Sequence, residues 1–269
     1  VEQGAHIRRA GEDLQPDDQV ISEGTLLTPA HIGLLAGIGV YQVSAVRRPV
    51  VGIFSTGDEL VEGTQALAPG QIRDSNRFSL MALLERDGFE TVNLGLIHDD
   101  KGAIESTIRE GVDICDVLLT TGGVSMGEFD YVRKLMEEEG DLHFWKVAMR
   151  PGGPPLFGTW NGTPLFGLPG NPVSSHLVFM MLVAPWLSSE TPLTKTIRVR
   201  MKDPVKGAPG KVCFRRILIS TDGDELVATT HTHQGSGNIH SMVAHNGVTV
   251  LPPDTDADAG DVITALWYQ

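Results

Sequence analysis

The chain has 269 residues, 41% of them hydrophobic, and a formal net charge of −13 at pH 7. That charge repels nucleic acid over most of a surface, and no segment approaches the roughly 20 apolar residues that a bilayer crossing needs. The opening VEQGAHIRRAGEDL lacks the basic-then-apolar order of a signal peptide, and Cys115 and Cys213 fall in no CxxC or zinc-ligand pattern. The expectation is a soluble cytoplasmic protein whose cysteines are small buried hydrophobes.

Residues 1–47 are rich in charge and turn formers and hold one predicted helix, opened by Thr28 as N-cap with Pro29 at its first position and closed near Gly37. That is too little for a core of its own, so the segment reads as the remnant of an N-terminal domain with a linker helix. From 48 to 190 strands alternate with helices, the pattern of a largely parallel sheet covered on both faces. Strands are predicted at 50–54, 91–97 and 115–120, with helices at 76–87, 101–111 and 130–138. Shorter β segments at 143–149 and 163–167 precede a last helix over 173–187. After Pro192 the helical periods vanish, and β segments at 195–201, 211–219, 225–230, 247–251 and 262–268 predict a small all-β domain over 191–269. The change of class at 188–194 marks the expected boundary.

Three glycine-containing loops each follow a predicted strand: STGDEL at 55–60, TTGGVSMGEFDYV at 120–132 and GLPGNPVSS at 167–175. Open parallel sheets bind ligands at that edge, although a single such glycine also serves simply to permit a tight turn. The second loop has no GK[ST] and no dinucleotide-binding spacing, which argues against a P-loop and against NAD or FAD. Its paired glycines and the hydroxyls of Thr120, Thr121 and Ser125 suit phosphate or pterin oxygens.

Asp58, Glu59, Asp99, Asp100 and Asp130 all fall at or just past predicted strand ends. Together they would hold a hard cation such as magnesium against substrate phosphates; singly, Asp58, Asp99 and Asp130 equally suit caps of the following helices. Lys146 and Arg150, four apart in WKVAMRPGGPP, share a face if the segment is extended and could meet one oxyanion, or stand as two surface cations. A metal site among His231, His233, His240 and His245 is disfavoured, because the spacing defines no zinc pattern.

Taken in order, RRAGED at 8–13, STGDEL, GQIRDSN at 70–76, TTGGVSMGEFDYV, FWKVAMRPGGPPLFG at 144–158, GLPGNPVS and HQGS at 233–236 resemble the MoeA family, which includes the gephyrin E domain. The resemblance implies a three-layer α/β/α molybdopterin-binding-like domain followed by a small barrel-like β domain. It implies a molybdopterin molybdenumtransferase, which inserts molybdate into adenylylated molybdopterin and releases molybdenum cofactor and AMP with Mg²⁺. By the same resemblance Glu59, Asp99 and Asp130 are catalytic, binding metal or positioning the phosphoanhydride. Thr121, Gly122, Gly123 and Ser125 would contact the pterin phosphate region, and Lys146, Arg150, Ser174, Arg216 and Ser236 would cradle molybdate. A homodimer is implied too, since relatives complete the cleft from the partner subunit. Alternative readings are a molybdopterin adenylyltransferase, which shares the α/β fold, and a non-catalytic gephyrin-like scaffold. The chain departs from the family in carrying Arg150 where many relatives have Lys, and in holding little of the upstream regions.

Overall fold

The computed structural model describes residues 4–64, 66–125, 127, 130–188, 195–230 and 233–268. The chain divides into two compact units, residues 1–47 and 48–269. In the first, α1 (Pro29–Gly37) begins after Thr28, whose N–H donates to His31 Nδ1 at 3.0 Å.

In the second unit β1 (Val50–Thr56), the short β2 (Leu60–Val61) and β3 (Ile72–Arg73), α2 (Asn76–Arg86), β4 (Glu90–Ile97), α3 (Lys101–Ile114), β5 (Val117–Thr121) and α4 (Tyr131–Glu138) follow in order. Then come β6 (Asp141–Trp145), β7 (Met149–Arg150), β8 (Leu156–Trp160) and β9 (Thr163–Leu168). Six strands form one sheet in the order β4-β1-β5-β9-β8-β6, parallel from β4 to β9 and antiparallel through β8 and β6. Side chains alternate between its faces. Val51, Ile53, Val117 and Leu119 join Leu80 and Leu84 of α2 in one core, while Phe54 and Leu118 join Ile104 and Ile108 of α3 and Val132 and Leu135 of α4 in another. The two cores are what make a three-layer structure of this segment.

The sequence reading missed β8. Its signal was Asn161-Gly162, with φ of 49° and 85°, the turn chemistry that joins two antiparallel strands tightly. Past β9, α5 (Pro172–Val178) widens into a π turn over Phe179–Val183 and continues as α6 (Ala184–Leu187). Pro185 has no N–H and its ring crowds the carbonyl four residues back, which a wider turn relieves.

The last region is a closed barrel in the order β10-β13-β12-β14-β15, formed by β10 (Lys195–Met201), β12 (Arg216–Asp222), β13 (Glu225–Thr230), β14 (Gly247–Thr249) and β15 (Val262–Trp267). The strand expected over 211–219 is interrupted. Its first part, β11 (Val212–Cys213), leaves the barrel and pairs in parallel with β7, and Phe214 N–H donates to Arg150 O at 2.8 Å. Phe214, Met242, Val248 and Leu266 thereby join the core beneath α2 and α5, so the barrel and sheet share one apolar interior. A one-turn helix, α7 (His240–Val243), also corrects the expectation that helices end at Pro192. Met126, Glu128 and Phe129 of the second loop, most of the expected boundary (189–194) and His231 lie outside the described residues. No helix among those described is long and apolar enough to cross a membrane.

Candidate functional site

A cavity of about 310 Å³ opens where β1, β4, β5 and β9 end, and Glu59, Asp99, Thr121, Gly122, Gly123, Ser125 and Asp130 all line it. Sheet topology accounts for this convergence, since parallel strands deliver their following loops to one edge. Gly122 and Gly123 have φ of 96° and 66°, and a Cβ on Gly122 would collide with the Thr56 carbonyl, so only glycine lets the β5 loop pass the end of β1. Arg133 secures that loop from behind: its N–H donates to Gly123 O at 3.1 Å and its Nε to Ser125 O at 3.2 Å, with the guanidinium 4.7 Å from the Trp145 ring. The amides of Gly123, Val124 and Ser125 donate to no backbone carbonyl among the described residues. Thr56, also in the lining, has a buried Oγ1 without a partner. Backbone donors and hydroxyls on one wall suit an anion.

The carboxylates occupy the opposite chemistry. The Glu59 carboxylate folds against Gly57, and Asp130 accepts the Gly127 N–H. Burial, followed by the charges of Asp58, Glu59 and Asp130, raises the Asp99 carboxyl above the usual range, against a backbone hydrogen bond from Asp58 that lowers it. Asp100 instead caps α3, accepting the Ala103 N–H at 2.8 Å, and Asp58 accepts from Asp99 N–H at 3.2 Å beside exposed His98. Among the described residues no three His, Cys, Asp or Glu side chains are grouped closely enough to hold a metal ion by themselves.

A second cavity, of about 470 Å³, is lined by Arg150, Ser174 and Ser236, together with Gly152, Gly153 and Lys211. Pro154 and Asn171 belong to both linings, so the two cavities share a wall. The second is assembled by the β7–β11 pairing, which sets Val212 beside Met149 and Cys213 beside Arg150, with Lys211 just ahead of the paired strand. It is further held by Val173 N–H, which donates to Ser236 O at 3.0 Å.

Lys146 and Arg216 are in neither lining. Lys146, at φ 74°, lays its ammonium 3.9 Å from the centre of the Trp145 ring, and Trp145 Nε1 donates to Val124 O at 2.8 Å. Arg216 is fully buried, and burial lowers its pKa. Its guanidinium donates to Ser241 Oγ at 2.9 Å and Gly235 O at 3.0 Å, while its backbone exchanges two hydrogen bonds with the Gln234 amide. Arg216 therefore braces the HQGS segment that presents Ser236 and lies behind the cavity wall.

Sequence reasoning passed over Asn76, Asn171 and Lys211. The first two stand inside the quoted GQIRDSN and GLPGNP motifs, while Lys211, following a Pro-Gly turn, carried no signal. Of the histidines, His245 is buried with Nδ1 at 2.8 Å from Ser241 O, and His233 Nδ1 lies 3.1 Å from Asn238 Nδ2. Cys115 and Cys213 are free and buried, and desolvation raises both thiols.

Three family models match. A probable molybdopterin binding domain covers residues 52–189, the MoeA N-terminal region (domain I and II) covers 1–39, and the MoeA C-terminal region (domain IV) covers 198–267. The chain is 36% identical over 269 residues to a molybdopterin molybdenumtransferase of Haemophilus influenzae, covering 96% of this chain and 66% of the relative. It is 37% identical over 258 residues to that of Bacillus subtilis, covering 94% and 60%. Molybdopterin molybdenumtransferase 2 of Mycobacterium tuberculosis is 31% identical, with 98% and 67% covered. The chain thus spans about two thirds or less of the length of these curated relatives. Among solved structures, a molybdopterin biosynthesis moeA protein from Pyrococcus horikosii superposes with a TM-score of 0.82 at 28% identity, covering 96% of this chain and 64% of that one.

Proposed function

We propose, from the premise that this chain belongs to the MoeA family, that it carries the molybdate-inserting site of a molybdopterin molybdenumtransferase, converting adenylylated molybdopterin and molybdate to molybdenum cofactor and AMP. The observation that carries the reading is the wall of Pro154 and Asn171 common to the two cavities. One compartment offers amides, hydroxyls and carboxylates, and its neighbour offers cations and serines, the division that a phosphorylated pterin meeting a second anion requires.

In this reading Thr121, Gly122, Gly123 and Ser125 bind the phosphate-bearing part of the pterin nucleotide through neutral donors. Arg150, Ser174 and Ser236, with Lys211, hold the oxyanion through charge-assisted hydrogen bonds. Lys146 and Arg216 act from behind, the first by packing on Trp145 and the second by bracing Gly235. Tungstate has the same charge and shape as molybdate and would occupy the same place.

Glu59, Asp99 and Asp130 are oxygen donors of the type Mg²⁺ takes, and a cation would relieve the mutual repulsion that helps raise Asp99. Because among the described residues no three side chains close on one point, the ion would take one or two of them and complete its shell with phosphate oxygens and water. Mg²⁺ so held would supply charge neutralisation at the phosphoanhydride. The reading includes a cytoplasmic homodimer, which light scattering of the full-length protein tests. Its central test is incubation of that protein with adenylylated molybdopterin, Mg²⁺ and molybdate: AMP is expected to appear, and substrate that binds without AMP release overturns the assignment.

A further inference from the structure

We propose that Asn76 is a positioning residue, which sets the Thr121 hydroxyl as a hydrogen-bond donor toward an anion in the first cavity and ties together two loops that line it. Asn76 begins α2, is 8% exposed and lies in the cavity wall. Its Nδ2 donates to Thr121 Oγ1 at 2.8 Å and to Gly170 O at 2.7 Å. A carbonyl oxygen only accepts, so the Gly170 contact fixes which end of the amide is the NH₂ group. Thr121 Oγ1 must then accept from Asn76, and its own proton is left to point elsewhere. Thr121 is 1% exposed and also lines the cavity, and among the described residues its hydroxyl donates to no protein acceptor, which leaves that proton for an anionic ligand.

Two further observations favour positioning over a merely structural role. The Asn76 Oδ1 is buried without a partner, a costly state for a residue kept only for stability. The backbone around it is also tightly held. Arg77 Nε donates to Asp74 Oδ2 at 2.9 Å with both side chains buried, and its Nη atoms reach Glu62 at 2.6 Å and Asn93. A rigid support of this kind keeps the amide aimed at two loops that are far apart in sequence, one following β5 and the other following β9.

The inference rests on the reading of the first cavity as an anion site, and its test separates the two. Calorimetric titration with inorganic pyrophosphate would be run on the full chain carrying Arg150→Ala, which silences the second cavity. Added Asn76→Leu and Thr121→Val are each expected to weaken binding by about tenfold, the usual worth of a hydrogen bond to a charged group. Combined in one chain, the two substitutions should weaken binding by about tenfold in total, not a hundredfold, because the first acts through the second. Thr121→Ser, which keeps the hydroxyl, should bind within about twofold of its parent. Multiplicative losses, or normal binding by Asn76→Leu, overturn the positioning role while leaving the anion site intact. Absence of pyrophosphate binding in the parent removes the anion reading, and the inference with it. Thermal melting accompanies each titration, and Asn76→Ser, which cannot reach both acceptors, replaces Asn76→Leu with the same expected loss if the latter does not melt cooperatively.

Discussion

The first cavity draws its polar groups from turns that end neighbouring strands of one sheet, whereas the second gathers Arg150, Ser174, Lys211 and Ser236 from segments scattered between β7 and the barrel. Topology alone places the former, because parallel strands share a carboxyl edge. The latter exists only through packing: the β7–β11 pair, the Val173–Ser236 hydrogen bond and the Arg216 brace each have to form. They also differ in charge, with carboxylates crowding the first and cations lining the second. A site of this type can therefore be damaged in two independent ways.

The comparison breaks most visibly at Glu59. Glu59→Gln is expected to lower AMP release by roughly 100-fold through lost cation and phosphate positioning, with molybdate affinity and melting temperature unchanged; equal loss of molybdate binding would mean that the cavities are not separable. Arg150→Ala works from the other side. Molybdate binding, followed by calorimetry, should fall by about 30-fold, within the range for a charged hydrogen bond, while cation binding at the first cavity holds. Lys211→Ala sharpens the picture with a smaller effect, about threefold on the oxyanion and shrinking as salt rises, since this lysine is exposed. An unchanged affinity at low salt would remove Lys211 from the site.

Asp99→Asn gives the smallest effect and an instructive sign. A carboxyl whose folded pKa is raised binds its proton more tightly in the folded state, so its ionisation at neutral pH works against folding. Without divalent cation, Asp99→Asn should raise the melting temperature by about 1–2 °C at pH 7, a change on the order of 0.5 kcal/mol or less for a group this exposed. With Mg²⁺ the order should reverse, because the wild-type carboxylate gains a partner. The variant's advantage should disappear as pH falls through the raised Asp99 value, where the wild-type proton returns.

The contrast between the cavities also explains what could be read before folding. Strand-then-glycine punctuation located the loops at 55–60, 120–132 and 167–175, and with them Glu59, Thr121 to Ser125, Asp130 and Ser174, because local sequence and sheet topology jointly determine those positions. Lys146 would share a face with Arg150 only if the segment were extended, and its place beside the anion was implied by the family resemblance, but β6 ends at Trp145 and Lys146 takes a positive φ. Its period was interrupted by a turn that no neighbouring residue announced. Arg216 falls within the β segment predicted over 211–219, yet its burial and its engagement with Gly235 have no local sequence signal. The hairpin partner β8 was legible after all, in Asn161-Gly162, and the pairing of β11 with β7 was not, since parallel contacts between distant two-residue segments leave no periodic trace. Asn76 shows the same limit, for its importance lies in acceptors from two other loops.

The short parallel seam between β7 and β11 has one more implication. The second cavity is walled by chain from both flanks of that seam, so under the proposed function a molecule in which sheet and barrel have not met has nowhere to hold a tetrahedral dianion. Under that function, capacity for such a guest would be a readout of assembly as much as of chemistry.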